Sequence, residues 1–265
     1  VLAILLVHRG EVVSGERLVE ELWGERAPAT AGKVLQAYIS RLRKVIGADV
    51  LLTRGRGYVL PPAAGELDLD EFERLAADGR AALAAGDAAS AAARLREALG
   101  LWRGPPLADF RYEAFAQGEI ARLEEARLAA LQDRIDADLA LGRHGEVIAE
   151  LEALVHAHPL RERLWAQLMI ALYRAGRQAE ALQAYHDSRR ILIDQLGIEP
   201  GRELRELHQA IVQQDQRLDL PGQTRLLALG EVRRPAAFVG RQRELSELAG
   251  ALHDAAGGQG RLFLL

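Results

Sequence analysis

A mainly α-helical fold with one small β-hairpin is predicted by three observations. Residues 30–46 carry a helical pattern that leads straight into two short β-type runs, Val50 to Thr53 and Tyr58 to Leu60. From Leu67 to about Gln216 every periodic stretch has helical spacing. Within that region Gly142 and Gly176 stand 34 residues apart, the period of a tetratricopeptide helix pair.

The first of these is the most informative. Leu35, Ile39, Leu42 and Ile46 recur at i, i+4, i+7 and i+11, so one face of the helix rests on a core. Lys33, Ala37, Ser40 and Lys44 then point away, with Gln36 and Arg41 on the flanks. The chain turns at Gly47 and reverses over Arg54, Gly55, Arg56 and Gly57, where glycines on both sides of Arg56 would supply positive φ for a tight hairpin. An exposed helix beside a basic ribbon is the plan of a winged helix-turn-helix with a C-terminal β-hairpin wing. Helix side chains would meet base edges, and wing arginines would meet phosphates or the minor groove.

Charge must be read locally. The chain has 34 basic and 38 acidic residues, a net of −4 that by itself argues against nucleic-acid binding. Between Ala29 and Leu60 the basic residues are 33, 41, 43, 44, 54 and 56, and the acid is Asp49, a local net of +5. A polyanion responds to the field at the contact surface, so the local value decides.

Upstream, Val1 to His8 reads as a helix stopped by Gly10. Ser14 is the candidate N-cap of a second helix whose Leu18, Val19 and Leu22 face inward, with Glu16 complementing its dipole. Trp23 ends that helix as a packing residue, and Gly24 to Ala29 is the loop into the third, with Pro28 at a turn or first helical position.

The region after the short linker Pro61 to Gly65 is alanine-rich, and with aromatics at only 5% of the chain it favours helix on helix. Ala85-Gly86-Asp87, Leu141-Gly142-Arg143 and Ala175-Gly176-Arg177 punctuate it, each glycine closing one helix so that the next folds back. Small residues Ala149, Ala171 and Ala181 are placed where helices approach closely, with Leu151, Leu154, Leu168, Leu172, Tyr173, Leu182 and Tyr185 filling the layers. Gly86 and Gly142 are 56 residues apart, so the segment around Arg103 to Phe110 and a long helix from Glu113 to Leu141 interrupt the regular stack. The expected result is a tetratricopeptide-like α-helical repeat domain, which presents grooves to other proteins and rarely performs chemistry.

The pattern dissolves between Leu220 and Ala237, and the chain closes on Arg261 to Leu265, a run like the buried strand before a phosphate-binding loop. No G-x-x-x-x-G-K-[ST] motif occurs. Both ends read as cut, which leads us to expect a piece of a longer protein. Without cysteine there is no disulfide framework, zinc finger or thiol nucleophile, and a reducing cytoplasm is the expected setting. No run reaches the roughly 18 apolar residues of a membrane span, so no membrane partner is expected. The seven histidines show no metal spacing, and Glu124 with Glu125 lies on a helix surface, so neither a metal site nor catalytic residues are expected.

Taken in this order, the segments resemble the SARP/AfsR family of actinobacterial transcriptional regulators. Leu22-Trp23-Gly24, Ile39 to Arg43 and Thr53 to Tyr58 carry the resemblance in the first domain. Leu69-Asp70 with Phe72, Leu101 to Leu107 and Gly197 to Gly201 carry it in the second, and Phe238 to Arg241 with Glu244-Leu245 resemble the entry to a STAND-type NTPase. The implied organisation is an OmpR-like DNA-binding domain over 1–61, whose opening β-sheet this chain lacks. A bacterial transcriptional activator domain over 66–217, a linker over 218–236 and the start of an NTPase over 237–265 would follow.

The resemblance implies binding to direct repeats near a promoter and contact with RNA polymerase, for which the loop Gly24 to Ala29 is the candidate. It also implies homo-oligomerisation helped by the activator domain. DNA contacts would come from Thr30, Lys33, Gln36, Ser40, Arg41 and Lys44 of the helix and Arg54, Arg56 and Tyr58 of the wing. No cofactor is expected in this chain, but the longer protein would hold ATP, with Val239, Gly240 and Arg241 near the nucleotide. Two other readings stay open: the regulatory part of a STAND-type ATPase, and a protein-interaction scaffold that binds no DNA.

Overall fold

The computed structural model describes residues 1–62 and 67–219. Val1–Gln213 forms one compact unit, and the described part of the second, beginning at Gln214, is a single short turn.

In chain order the elements are α1 (Leu2–Val7), β1 (Val13–Ser14), α2 (Gly15–Trp23), α3 (Ala31–Ile46), β2 (Leu52–Arg54) and β3 (Gly57–Val59). The repeat region follows with α4 (Asp68–Ala84), α5 (Ala88–Gly100), α6 (Ala114–Ala140) and α7 (His144–Ala157), then α8 (Glu162–Arg174), α9 (Gln178–Leu196) and α10 (Arg202–Val212). α2 starts where the sequence places its cap, since the Ser14 hydroxyl accepts from the Arg17 N–H at 3.0 Å. Pro28 sits in the turn before α3, its carbonyl accepting from Ala31 N–H at 2.8 Å.

Ile4, Leu5, Val13, Leu18, Leu35, Ile39, Leu51 and Leu60 form one buried cluster, with Val19, Leu22, Leu42 and Ile46 half-buried against it. The inward faces read from α2 and α3 are thus the ones that hold this domain. Each fully buried Leu or Ile contributes roughly 1.5–3 kcal/mol, and the basic face of α3 is left outside.

The wing differs from the sequence reading in three ways. Its strands are Leu52–Arg54 and Gly57–Val59, because pairing begins only where the two runs come opposite each other. A third strand, β1, was not expected: Val13 pairs with Tyr58 and Ser14 with Gly57, giving a sheet ordered β1-β3-β2. Finally, Gly55 has the positive φ of a turn, +58°, but Gly57 does not. A Cβ on Gly57 would lie 2.5 Å from the Val13 carbonyl oxygen, so glycine is needed there for close approach to β1.

In the repeat region Gly86, Gly142 and Gly176 close α4, α6 and α8 in one and the same way, with φ of +80°, +78° and +77°. After each, the following N–H reaches back five residues: Asp87 to Ala82, Arg143 to Asp138 and Arg177 to Leu172, all at 2.9 Å. This Schellman closure satisfies carbonyls that the helix end leaves free. Ala171 and Ala181 are fully buried, as expected of close helix contacts. Ala149 is instead exposed; Val147, Ile148 and Leu151 form the buried face of α7.

α6 is the seam between the two regions. Phe115, near its start, packs against the core of the winged-helix region, and Arg9 pairs with Asp70 of α4 at 2.5 Å.

Candidate nucleic-acid interface

The surface is built from two elements held together by a third group. Along α3, Lys33, Gln36, Ser40, Arg41 and Lys44 are all exposed, because the apolar period commits the opposite side to the core. Thr30 occupies the N-cap position and is exposed, but its hydroxyl makes no cap bond. Arg54 and Arg56 are exposed at the wing tip, and Tyr58 is half-buried on β3.

Arg43 joins the two elements. Its Nε donates to the Leu51 carbonyl at 2.8 Å and its Nη2 donates to the Thr53 hydroxyl at 2.7 Å. In the sequence Arg43 contributes to the local charge and to the family resemblance; in the structure it fixes the wing against α3. A second tie anchors the hairpin turn, since the Arg56 carbonyl accepts from Gly15 N–H at 3.1 Å while its guanidinium stays in solvent. Between helix and wing lies a cleft lined by Gln36, Ser40 and Lys44 on one side and Thr53 and Tyr58 on the other. Of the expected contacts, then, Gln36, Ser40, Lys44 and Tyr58 come together there. Thr30, Lys33, Arg41, Arg54 and Arg56 lie on the same two elements outside it.

Among the described residues, none of Lys33, Arg41, Lys44, Arg54 or Arg56 forms an ion pair with an acid. A row of solvated, unneutralised cations is the arrangement that attracts a phosphate backbone. Tyr38, also exposed on α3, stacks on Trp23 with ring centroids 6.3 Å apart. That contact bonds the end of α2 to α3, and only the crossing of the two helices reveals it. The loop from Gly24 to Ala29 between them is exposed throughout.

Residues 1–60 match the family described as transcriptional regulatory protein, C terminal. Residues 67–212, more than half of the chain, match the bacterial transcriptional activator domain. The chain belongs to the SARP/AfsR family of transcriptional regulators. Its relatives include regulatory protein DnrI of Streptomyces peucetius, 42% identical over 84% of this chain and 86% of that protein. Regulatory protein AfsR of Streptomyces griseus is 41% identical over 97% of this chain, which spans about a quarter of AfsR's length, 27%. A solved structure of Mycobacterium tuberculosis EmbR in complex with a low affinity phosphopeptide superposes with a TM-score of 0.77 at 38% identity, over 86% of this chain and 62% of that one. The winged helix followed by a helical activator domain is therefore the family's arrangement in this SARP/AfsR member.

Among the described residues no group of three or more His, Cys, Asp or Glu side chains is arranged to hold a metal ion. No described helix is long and apolar enough to cross a membrane. Val239, Gly240 and Arg241 lie outside the described residues.

Proposed function

We propose that this SARP/AfsR chain binds duplex DNA with α3 in the major groove and the wing on the flanking backbone, and that it acts as a promoter-bound transcriptional activator in the cytoplasm. The observation that carries the reading is the set of five exposed cations on α3 and the wing that have no acidic partner among the described residues, on elements locked together by Arg43. Lys33, Gln36, Ser40 and Arg41 read base edges in this proposal, while Thr30, Lys44, Arg54, Arg56 and Tyr58 position the chain on the backbone.

The repeat helices α4–α10 supply contacts to other proteins, including further copies of the chain on adjacent direct repeats. The exposed loop Gly24 to Ala29 faces RNA polymerase. The EmbR structure being a peptide complex supports a protein-contact role for this family. The stretch 237–265, with Val239, Gly240 and Arg241, is the entry to an ATP-binding module in a longer protein, and the chain itself works as a regulator and not as an enzyme.

The test is a DNA titration at several salt concentrations. Each phosphate contact contributes roughly −0.9 to the slope of log K against log salt, so the chain should show a steep slope. Lys33→Ala or Arg41→Ala should each cost about 1–3 kcal/mol on the specific site and much less on random duplex. Binding that is weak and flat with salt would favour the protein-only scaffold, and equal losses on both duplexes would reassign the residue to phosphate positioning.

A further inference from the structure

Ala37 stands at the middle of the outward side of α3, and the base-edge contacts proposed above leave it without a task. At about 100° per residue it shares one stripe with Lys33 four residues before it, Arg41 four residues after it and Lys44 seven residues after it. All four are exposed, as is Ser40 beside them. Of these five side chains, that of Ala37 has no polar atom and ends at its first carbon. The stripe therefore has a recess at its centre, floored by a methyl group and walled by cations that have no acidic partner among the described residues.

An alanine on a helix surface is ordinarily no more than a good helix former. Three features set this one apart. Its place is central, since Lys33 and Arg41 stand about 6 Å along the axis on either side of it. The helix is fixed from two sides, by the stack of Tyr38 on Trp23 at 6.3 Å and by the bonds from Arg43 to Leu51 and Thr53 at 2.8 and 2.7 Å, so the methyl is presented at a set depth and angle. Val45, which is 82% exposed, lies in the last turn of α3 and about 80° round from Ala37, off the cationic stripe.

A base edge that meets a lone methyl in the major groove gains most when it carries a methyl itself. Among the four bases that is thymine, whose C5-methyl projects into the major groove. Cytosine shows an amino donor there, and guanine and adenine show acceptors, which a methyl leaves unpaired once water is displaced.

We propose that Ala37 is a specificity-determining residue that selects thymine through its C5-methyl group, at a base pair between those read by Lys33 and Arg41. The proposal rests on the placement of α3 in the major groove given above. It adds to that reading the base at the centre of the contact and the chemical group by which that base is chosen.

The test begins with a pool of random-sequence duplexes, from which the 265-residue chain should enrich a site with a fixed thymine at its centre. In duplexes of that site each thymine is replaced in turn by deoxyuridine, which keeps the Watson–Crick pair and loses only the methyl. At one thymine per bound chain, affinity should fall about fourfold, the value of one methyl group withdrawn from water. Ala37→Gly should bind the thymine and deoxyuridine duplexes equally, with the salt slope of the unaltered chain, since no phosphate contact is lost. A purely structural alanine would lower affinity for both duplexes alike and leave their ratio unchanged. If Ala37→Gly does not fold, Ala37→Gln, which keeps a strong helix former, should enrich a different base at that position. Deoxyuridine tolerated at no cost throughout the enriched site, a fourfold ratio that survives Ala37→Gly, or thymine still enriched by Ala37→Gln would overturn the proposal and leave the DNA-reading function standing. If the unaltered chain enriches no sequence at all, base reading by α3 falls and the role of Ala37 falls with it.

Discussion

The two regions of this molecule use positive charge in opposite ways. In the repeat helices, most arginines are tied to acids. Arg163 reaches Asp133 and Asp136 at 2.6 Å each, and Arg122 holds Glu119 and Glu73, which raise its pKa above the usual guanidinium range. Asp138, only 1% exposed, accepts from Arg96, Arg134 and Arg143 together. Among the described residues, the cations of α3 and the wing stand free of acids, and of the basic residues on those elements Arg43 is the one spent on holding the surface together. Neutralised charge fixes helices in register, and unneutralised charge at a rigid surface is available to a polyanion. An overall net of −4 conceals this, because the acids sit with the arginines that need them.

The comparison breaks if a mutation in one region produces the effect assigned to the other. The largest expected change is in stability. Asp138→Ala strips a buried carboxylate from three arginines, one of them buried beside it, and should cost about 3 kcal/mol in a denaturant melt. Its salt slope on DNA should match that of the unaltered chain, and a changed slope would put the network in the binding surface.

Next in size is the wing. Arg54→Ala combined with Arg56→Ala should flatten the salt slope by about two units and weaken binding to any sequence by roughly thirtyfold near 0.15 M salt. Its melt should not move, since both guanidinium groups are exposed and unpaired among the described residues. Unchanged affinity would remove the wing from the interface.

The smallest effect sharpens the comparison most, because Arg43 belongs to both kinds. Arg43→Ala removes two hydrogen bonds from α3, one to Leu51 just before β2 and one to Thr53 within it, and should lower stability by about 1–2 kcal/mol, given its partial exposure. Affinity for DNA should fall through loss of wing placement, with the salt slope changed by less than one unit. A full unit of slope, with the melt unmoved, would make Arg43 a phosphate contact instead.

Much of the fold was legible because it is local. The cap at Ser14, the glycine closures at Gly86, Gly142 and Gly176 and the inward stripe of α3 all depend on residues within about one helical turn of each other. The exposed cations follow from the same stripe, since fixing Leu35 and Ile39 inward fixes Lys33, Ser40 and Lys44 outward. What was misread depends on contacts between distant segments. β1 is two residues long and becomes a strand only because β3 lies beside it. Ala149 has the size for a helix contact, but no described helix covers its face of α7.

By itself, then, the sequence determined the order of helices, where they stop, and which side of α3 is basic, since periodicity and capping are properties of the neighbouring chain. Tertiary structure alone decided that Gly57 is required by the carbonyl of Val13 and that Arg43 clamps the wing. Those outcomes depend on which surfaces meet across tens of residues, and a hydrogen-bond partner or a 2.5 Å approach exists only once they have met.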